Sequence, residues 1–257
     1  MSAYVEDAKD RLIVWNGNAD KRGALTPEFY QTILDAVEGA KDRRIRAIII
    51  TSQGGFFCAG GDLNALIERR GLPEPERREK VELLHDVIRA IRACPVPVIA
   101  AVKGGAAGAG ASIALACDFI VMEAGAKFTA AYVKAGLVPD GGLTASLARM
   151  IPRPLAMEMC VLGRPVVAER MLALGAVNAV VDVEQVIAEA HVWADAVAAG
   201  PRDAQGRIRS MIATAYNCSE AAQLDLERDA MAFAVGEDEA AEGIAAFLEK
   251  RKPEYGG

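Results

Sequence analysis

Two short segments concentrate the residues able to act on an oxygen atom. GGFFCAGGDL (54–63) runs two aromatics and a cysteine into glycines and then Asp62, and KGGAAGAGAS (103–112) repeats the arrangement up to Ser112. Each follows a β-rich apolar run, and the second opens a short apolar helix at 110–116. A strand end beside a helix start aims unpaired backbone N–H groups in one direction, and glycine leaves them unshielded at a cost in chain entropy. Neither segment has the phosphate-loop spacing G-x-G-x-x-G or G-x-x-x-x-G-K-S/T. The expected ligand is therefore a carbonyl oxygen held by one donor from each segment, with tight turns and close helix packing as the alternative. A third candidate is Asp140 in GLVPDGG, eight residues after Tyr132. A carboxylate there can carry a proton, although Asp before Gly is also a good turn or N-cap residue. His85 borders the apolar face of an amphipathic helix between Val81 and Ile88, as a core histidine or a site residue. Ser112, Asp140 and His191 follow the chain order of an α/β-hydrolase triad. That match is spoiled by Ala114 at the end of GASIA and by the mid-helix position of His191.

Positioning these groups falls to alternating strands and helices. RLIVWN (11–16), IRAIIITS (45–52), VPVIAAV (96–102) and CDFIVMEA (117–124) are strand-length and β-rich. Between them, 28–42 and 76–93 carry helical stripes, through Phe29, Ile33 and Val37 and through Val81, Leu84, Ile88 and Ile91. Alternation predicts crossover connections and a largely parallel sheet buried on both faces. After Pro152 only 179–183 reads as a strand, and helices are expected at 167–174, 184–199, 203–216, 220–235 and 237–250. The polar stretch RRGLPEPERREK (69–80) is expected to be a mobile loop leading into a helix. The organisation is a core at 1–195 and a helical C-terminal region at 196–257.

The 257 residues are enough to bury a sizeable core. A net charge of −6 with scattered bases excludes a nucleic-acid surface. Five cysteines show no C-x-x-C pair, and the first residues, MSAYVEDAKD, are no signal peptide, so free thiols and a cytoplasmic location are expected. The apolar region 95–122 is broken by Lys103 and by glycines, so no membrane span is expected, and nothing points to a metal.

FFCAGGDL, PVIAAVKGGAAGAGASIALACDF, AKFTAAYVKAGLVPDGGLTASLARMI and the tail EDEAAEGIAAFLEKRKPEY resemble successive signature segments of the enoyl-CoA hydratase/isomerase (crotonase) superfamily, over nearly the whole chain. The resemblance implies an α/β fold, a crotonase-like spiral of ββα turns with a helical C-terminal region that trimerises, giving a homotrimer or homohexamer. It implies a coenzyme A thioester as substrate, no bound cofactor, and the N–H groups of Gly61 and Ala109 as the donors that stabilise an enolate. It places Lys21 or Arg22 near the phosphates of coenzyme A and Ala24 near its adenine. Ala59, Asp62, Leu63, Gly108, Ser112, Phe247 and Lys250 complete the implied substrate-binding set. Typical hydratases of this family carry glutamates where this chain has Ser112 and Tyr132, and a phenol with pKa about 10 is a poor base. Family members that place a working carboxylate at the slot of Asp140 are dienoyl-CoA isomerases and aryl-CoA dehalogenases. The dehalogenases also keep a histidine near the slot of His85 and an aromatic at that of Tyr132. Double-bond isomerisation is the leading expectation and hydration or ring opening of an unusual enoyl-CoA the second. Dehalogenase-like chemistry, serine hydrolysis and non-catalytic binding of a CoA ester rank below these.

Overall fold

The computed structural model describes residues 2–255. A six-stranded sheet forms its centre, in the order β1 (Tyr4–Asp7), β2 (Arg11–Asn16), β3 (Ala47–Ser52), β4 (Val98–Val102), β6 (Phe119–Glu123), β9 (Ala179–Val181). All neighbours are parallel except the edge pair β1–β2. The register sets Ile13, Ile49 and Ile99 side by side. With side chains alternating between faces, the sheet needs a cover on both sides. Ile48 and Ile50 join one core with Phe29 and Ile33 of α1 (Pro27–Gly39) and Ile88 and Ile91 of α3 (Glu74–Ala93). Ile13, Ile49 and Ile99 join the other with Val186, Ala190 and Ala194 of α8 (Val186–Ala198). Full burial of one such isoleucine stabilises by about 1.5–3 kcal/mol, and β3 is buried along its whole length.

A second sheet of three short strands, β5 (Gly105–Ala107), β7 (Lys127–Thr129) and β8 (Val166–Val167), was not foreseen. Cys58 bridges to Ala106 beside it, so the first glycine-rich segment is drawn onto the second. Further helices are α2 (Leu63–Arg69), α4 (Ala109–Ala114), α5 (Leu143–Met150), α6 (Arg153–Leu162), α7 (Ala168–Ala173), α9 (Arg202–Thr214), α10 (Glu220–Ala234) and α11 (Asp238–Glu249). The expected loop at 69–80 is corrected: α3 already begins at Glu74, with Pro73 at its N-cap. Proline there gives up an N–H that the first turn leaves unpaired in any case. Helix α6 starts the same way after Pro152.

Candidate active site

The two glycine-rich segments meet as continuations of β3 and β4. The Ala107 N–H donates to the Cys58 carbonyl at 2.9 Å. A Cβ on Gly60, whose φ is +91°, would lie 2.8 Å from the Ala107 oxygen and 3.3 Å from the Ala109 nitrogen. A Cβ on Gly110 would lie 2.6 Å from Cys58 Cβ and 2.7 Å from its Sγ. Only bare backbone permits this approach. Residues 19–25 tie down the same turn: Leu25 N–H donates to Gly60 O at 2.9 Å and Ala59 N–H to Arg22 O at 3.0 Å. Among the described residues the N–H groups of Gly61 and Ala109 have no protein acceptor, and Ala109 opens α4, where a first-turn N–H has none of its own. Both residues line one cavity of about 460 Å³. Two unpaired donors at adjoining points of a cavity wall suit an oxygen that gains negative charge.

Asp140, Tyr132 and His85 line the same cavity. The Tyr132 hydroxyl donates to Asp140 Oδ1 at 2.6 Å. Burial first, then the charge and hydrogen bond of Asp140, push the phenol well above its ordinary pKa, so Tyr132 stays a neutral donor. Ser112 is fully buried and is not a wall residue; its hydroxyl donates to the Asp140 carbonyl at 2.9 Å and lies 3.4 Å from the Tyr132 hydroxyl. Ser112 thus holds the backbone at 140 while Tyr132 holds one carboxylate oxygen, leaving Oδ2 as the oxygen without a protein donor among the described residues. The Asp140 side chain caps no helix, because Gly142 is the N-cap of α5 and offers no side chain. Asp140 is also the sole carboxylate among the described residues that line the cavity. His85 forms no hydrogen bond with Asp140 or Tyr132, and its Nδ1 lies 3.3 Å from Glu82 Oε2.

Of the remaining sequence candidates, Ala59, Leu63 and Gly108 line the cavity. Asp62 caps α2 through the Asn64 N–H at 2.9 Å and pairs with Lys21 at 3.3 Å, and these two contacts hold its carboxyl below the usual range. Lys21 is exposed, Arg22 lies 4.1 Å over the Phe56 ring, and Ala24 is buried. Phe247 and Lys250 are not brought to the cavity in this chain. Helix α11 is tied through Glu239 to the N–H groups of Asp203 and Ala204 at the start of α9, and Phe247 is 83% exposed. His191 packs its ring against Arg11, so the hydrolase order Ser112, Asp140, His191 assembles no triad. Tyr30 is a wall residue that sequence reasoning missed, and Leu66, Arg69 and Lys80 are wall residues that it did not single out. Tyr30 directly follows Phe29 of the recognised stripe and could have been found as the residue flanking it.

Residues 17–257 match the model of a family described as enoyl-CoA hydratase/isomerase. The chain is 38% identical to a 1,2-epoxyphenylacetyl-CoA isomerase of Escherichia coli, covering 84% of this chain and 83% of that protein. It is 37% identical to a probable enoyl-CoA hydratase of Rhodobacter capsulatus, covering 96% and 92%. The crystal structure of an enoyl-CoA hydratase from a Polaromonas species superposes with a TM-score of 0.95 at 39% identity, covering both chains fully.

Proposed function

From the premise that this chain belongs to the enoyl-CoA hydratase/isomerase family, we propose that it moves a double bond along the acyl group of an enoyl-CoA by a proton shift. The observation that carries this reading is Asp140, the single carboxylate among the described residues of the wall, in one cavity with the unpaired donors of Gly61 and Ala109. The thioester oxygen accepts from both N–H groups, which stabilise the enolate formed when the acyl chain gives up a proton. Oδ2 of Asp140 takes that proton from the carbon beside the thioester and returns it two carbons along, so the site ends as it began. Water addition assisted by two carboxylates has no second carboxylate in this wall. No metal or bound cofactor takes part in this scheme; coenzyme A enters and leaves as part of the substrate, with the 19–25 segment along it.

The name of the Escherichia coli relative supports an isomerase, while other relatives are named hydratases and support hydration by Asp140 alone as the second reading. Asp140→Asn distinguishes catalysis from structure, because its amide oxygen still accepts from Tyr132 while an NH₂ replaces the proton-carrying oxygen. With a 3-enoyl-CoA in deuterated water, wild type is expected to yield the 2-enoyl isomer, and the variant to lose at least ~10²-fold in turnover with acyl-CoA binding kept. A fully active variant, or a hydrated product from wild type, would defeat the isomerase reading.

We propose further that α9 to α11 join subunits into a homotrimer or homohexamer. The support is their exposed apolar surface, with Ile212 at 66%, Met231 at 67% and Leu248 at 74% exposure. Light scattering should give the mass of three or six chains; a monomer across a wide concentration range would contradict it. Among the described residues no helix is long and apolar enough to cross a membrane, in keeping with a cytoplasmic enzyme.

A further inference from the structure

Two cations in the cavity wall are used by neither the oxyanion donors nor Asp140. Arg69 ends α2 and Lys80 lies on α3, so they reach the same space from different helices. On α3, Arg78 pairs with Glu74 and Arg89 with Glu82 and Asp86, and what separates Arg69 and Lys80 from other arginines and lysines of the two helices is their place in the cavity wall. Arg69 and Lys80 form no ion pair or side-chain hydrogen bond with any described residue. Tyr30, from α1, lines the same cavity, and its hydroxyl has no protein partner among the described residues. Burial above all pushes that phenol above its ordinary pKa, with Cys58 and then Asp140 adding to the effect and Arg69 opposing it. The wall around these groups is apolar, with Leu66, Val81 and Leu84. A helix C-terminus accounts for a cation at Arg69, but not for a second cation from another helix and an unpaired tyrosine in the same cavity wall.

We propose that the acyl group this site takes carries an anionic group of its own, a carboxylate remote from the thioester, bound by Arg69 with Lys80 at the rim and the Tyr30 hydroxyl as a further donor. The inference rests on the reading of the cavity as an acyl-CoA site, but not on the isomerase chemistry. A guanidinium grips a carboxylate through two parallel N–H bonds, and such charge-assisted pairs are about twice as strong as neutral ones. Leaving these donors beside a plain alkyl chain would instead strip them of water without replacing it. The substrate class is therefore the mono-CoA ester of an unsaturated dicarboxylic acid.

The test uses saturated probes that need no turnover. Calorimetry compares succinyl-, glutaryl- and adipyl-CoA with butyryl-, valeryl- and hexanoyl-CoA on the full chain. At least one diacid ester is expected to bind ten or more times more tightly than its alkyl counterpart. Arg69→Leu, and more fully Arg69→Leu with Lys80→Leu, should erase that preference while alkyl esters and free coenzyme A bind as before. No preference in wild type would overturn the proposal, as would a preference that survives both substitutions. Equal weakening of every ligand would do so too, since it would assign the cations to the phosphates of coenzyme A. Binding of none would overturn the acyl-CoA reading along with it. An active Asp140→Asn enzyme that kept the preference would sink the isomerase alone.

Discussion

Around Ala109 and Asp140 the chain is tied down by hydrogen bonds and close packing, whereas in another part of the same wall Leu63 leaves 60% of its surface exposed. The first region hangs from the ends of β3 and β4, with glycines that admit no Cβ and a serine and tyrosine that pin one aspartate. The second is built from the seven-residue α2 and the charged start of α3, whose exposed side chains meet few constraints. The contrast assigns reaction to the rigid wall, where an ångström of displacement costs rate, and acyl-group choice to the rim, which tolerates substitution without loss of fold. Each of the following substitutions tests that division.

The largest effect is expected at Ala109→Pro. Proline is well tolerated at the first position of a helix, where Ala109 stands, so the change removes one oxyanion donor and little else. Turnover should fall by about 2.7–4 kcal/mol of barrier, as when one donor is lost from an oxyanion hole. A folded Ala109→Pro protein with unaltered kcat would detach these N–H groups from the chemistry.

Tyr132→Phe should act next most strongly, and on kcat alone. The phenol donates to Asp140 Oδ1 from half-buried surroundings, and a hydrogen bond to a charged group contributes about 1.5–3 kcal/mol. Losing it frees the carboxylate to rotate, so kcat is expected to drop by about 10- to 100-fold while KM moves little. A raised KM at constant kcat would make Tyr132 an acyl-chain contact instead of the holder of Asp140.

The same division explains what could be read before the fold was seen. β3 and β4 announce themselves because strands buried on both faces need apolar runs such as the AIII that opens β3 and VIAAV. Asp140 was legible from its motif, and its grouping with Tyr132 from the resemblance alone; their hydrogen bond needed the fold. By contrast GAA and KFT, the strands of the second sheet, are too short and too plain to show a period. The start of α3, EPERREK, is all charge and proline, so its helical state follows from the stripe that begins at Val81 and not from its own residues. Arg69 and Lys80 were hidden for the same reason, since a charge run reads as a solvated face until two helices turn it toward one space. Phe247 and Lys250 were expected at the site on the resemblance alone, since nothing local shows which end of the sheet α11 will meet.

The smallest effect on stability and the sharpest test of the rim is Leu63→Ala. Leu63 opens α2 behind its Asp62 cap, and alanine is the better helix former by a fraction of about 0.7 kcal/mol, which offsets the little packing that an exposed leucine provides. Melting should therefore shift by no more than the equivalent of about 0.5 kcal/mol, the usual range for a surface change. The side chain nevertheless lines the cavity, so removing it takes apolar contact from bound acyl groups that reach it, at about 25 cal/mol per Å². KM is expected to rise by several-fold for long acyl groups and to stay level for short ones, with kcat unchanged because Ala109 and Asp140 lie on other segments and the turn before Gly61 is held by backbone bonds to Arg22 and Leu25. If kcat fell together with stability, the rim would be part of the same rigid unit as the glycine-rich wall, and the division between reaction and selection would not hold.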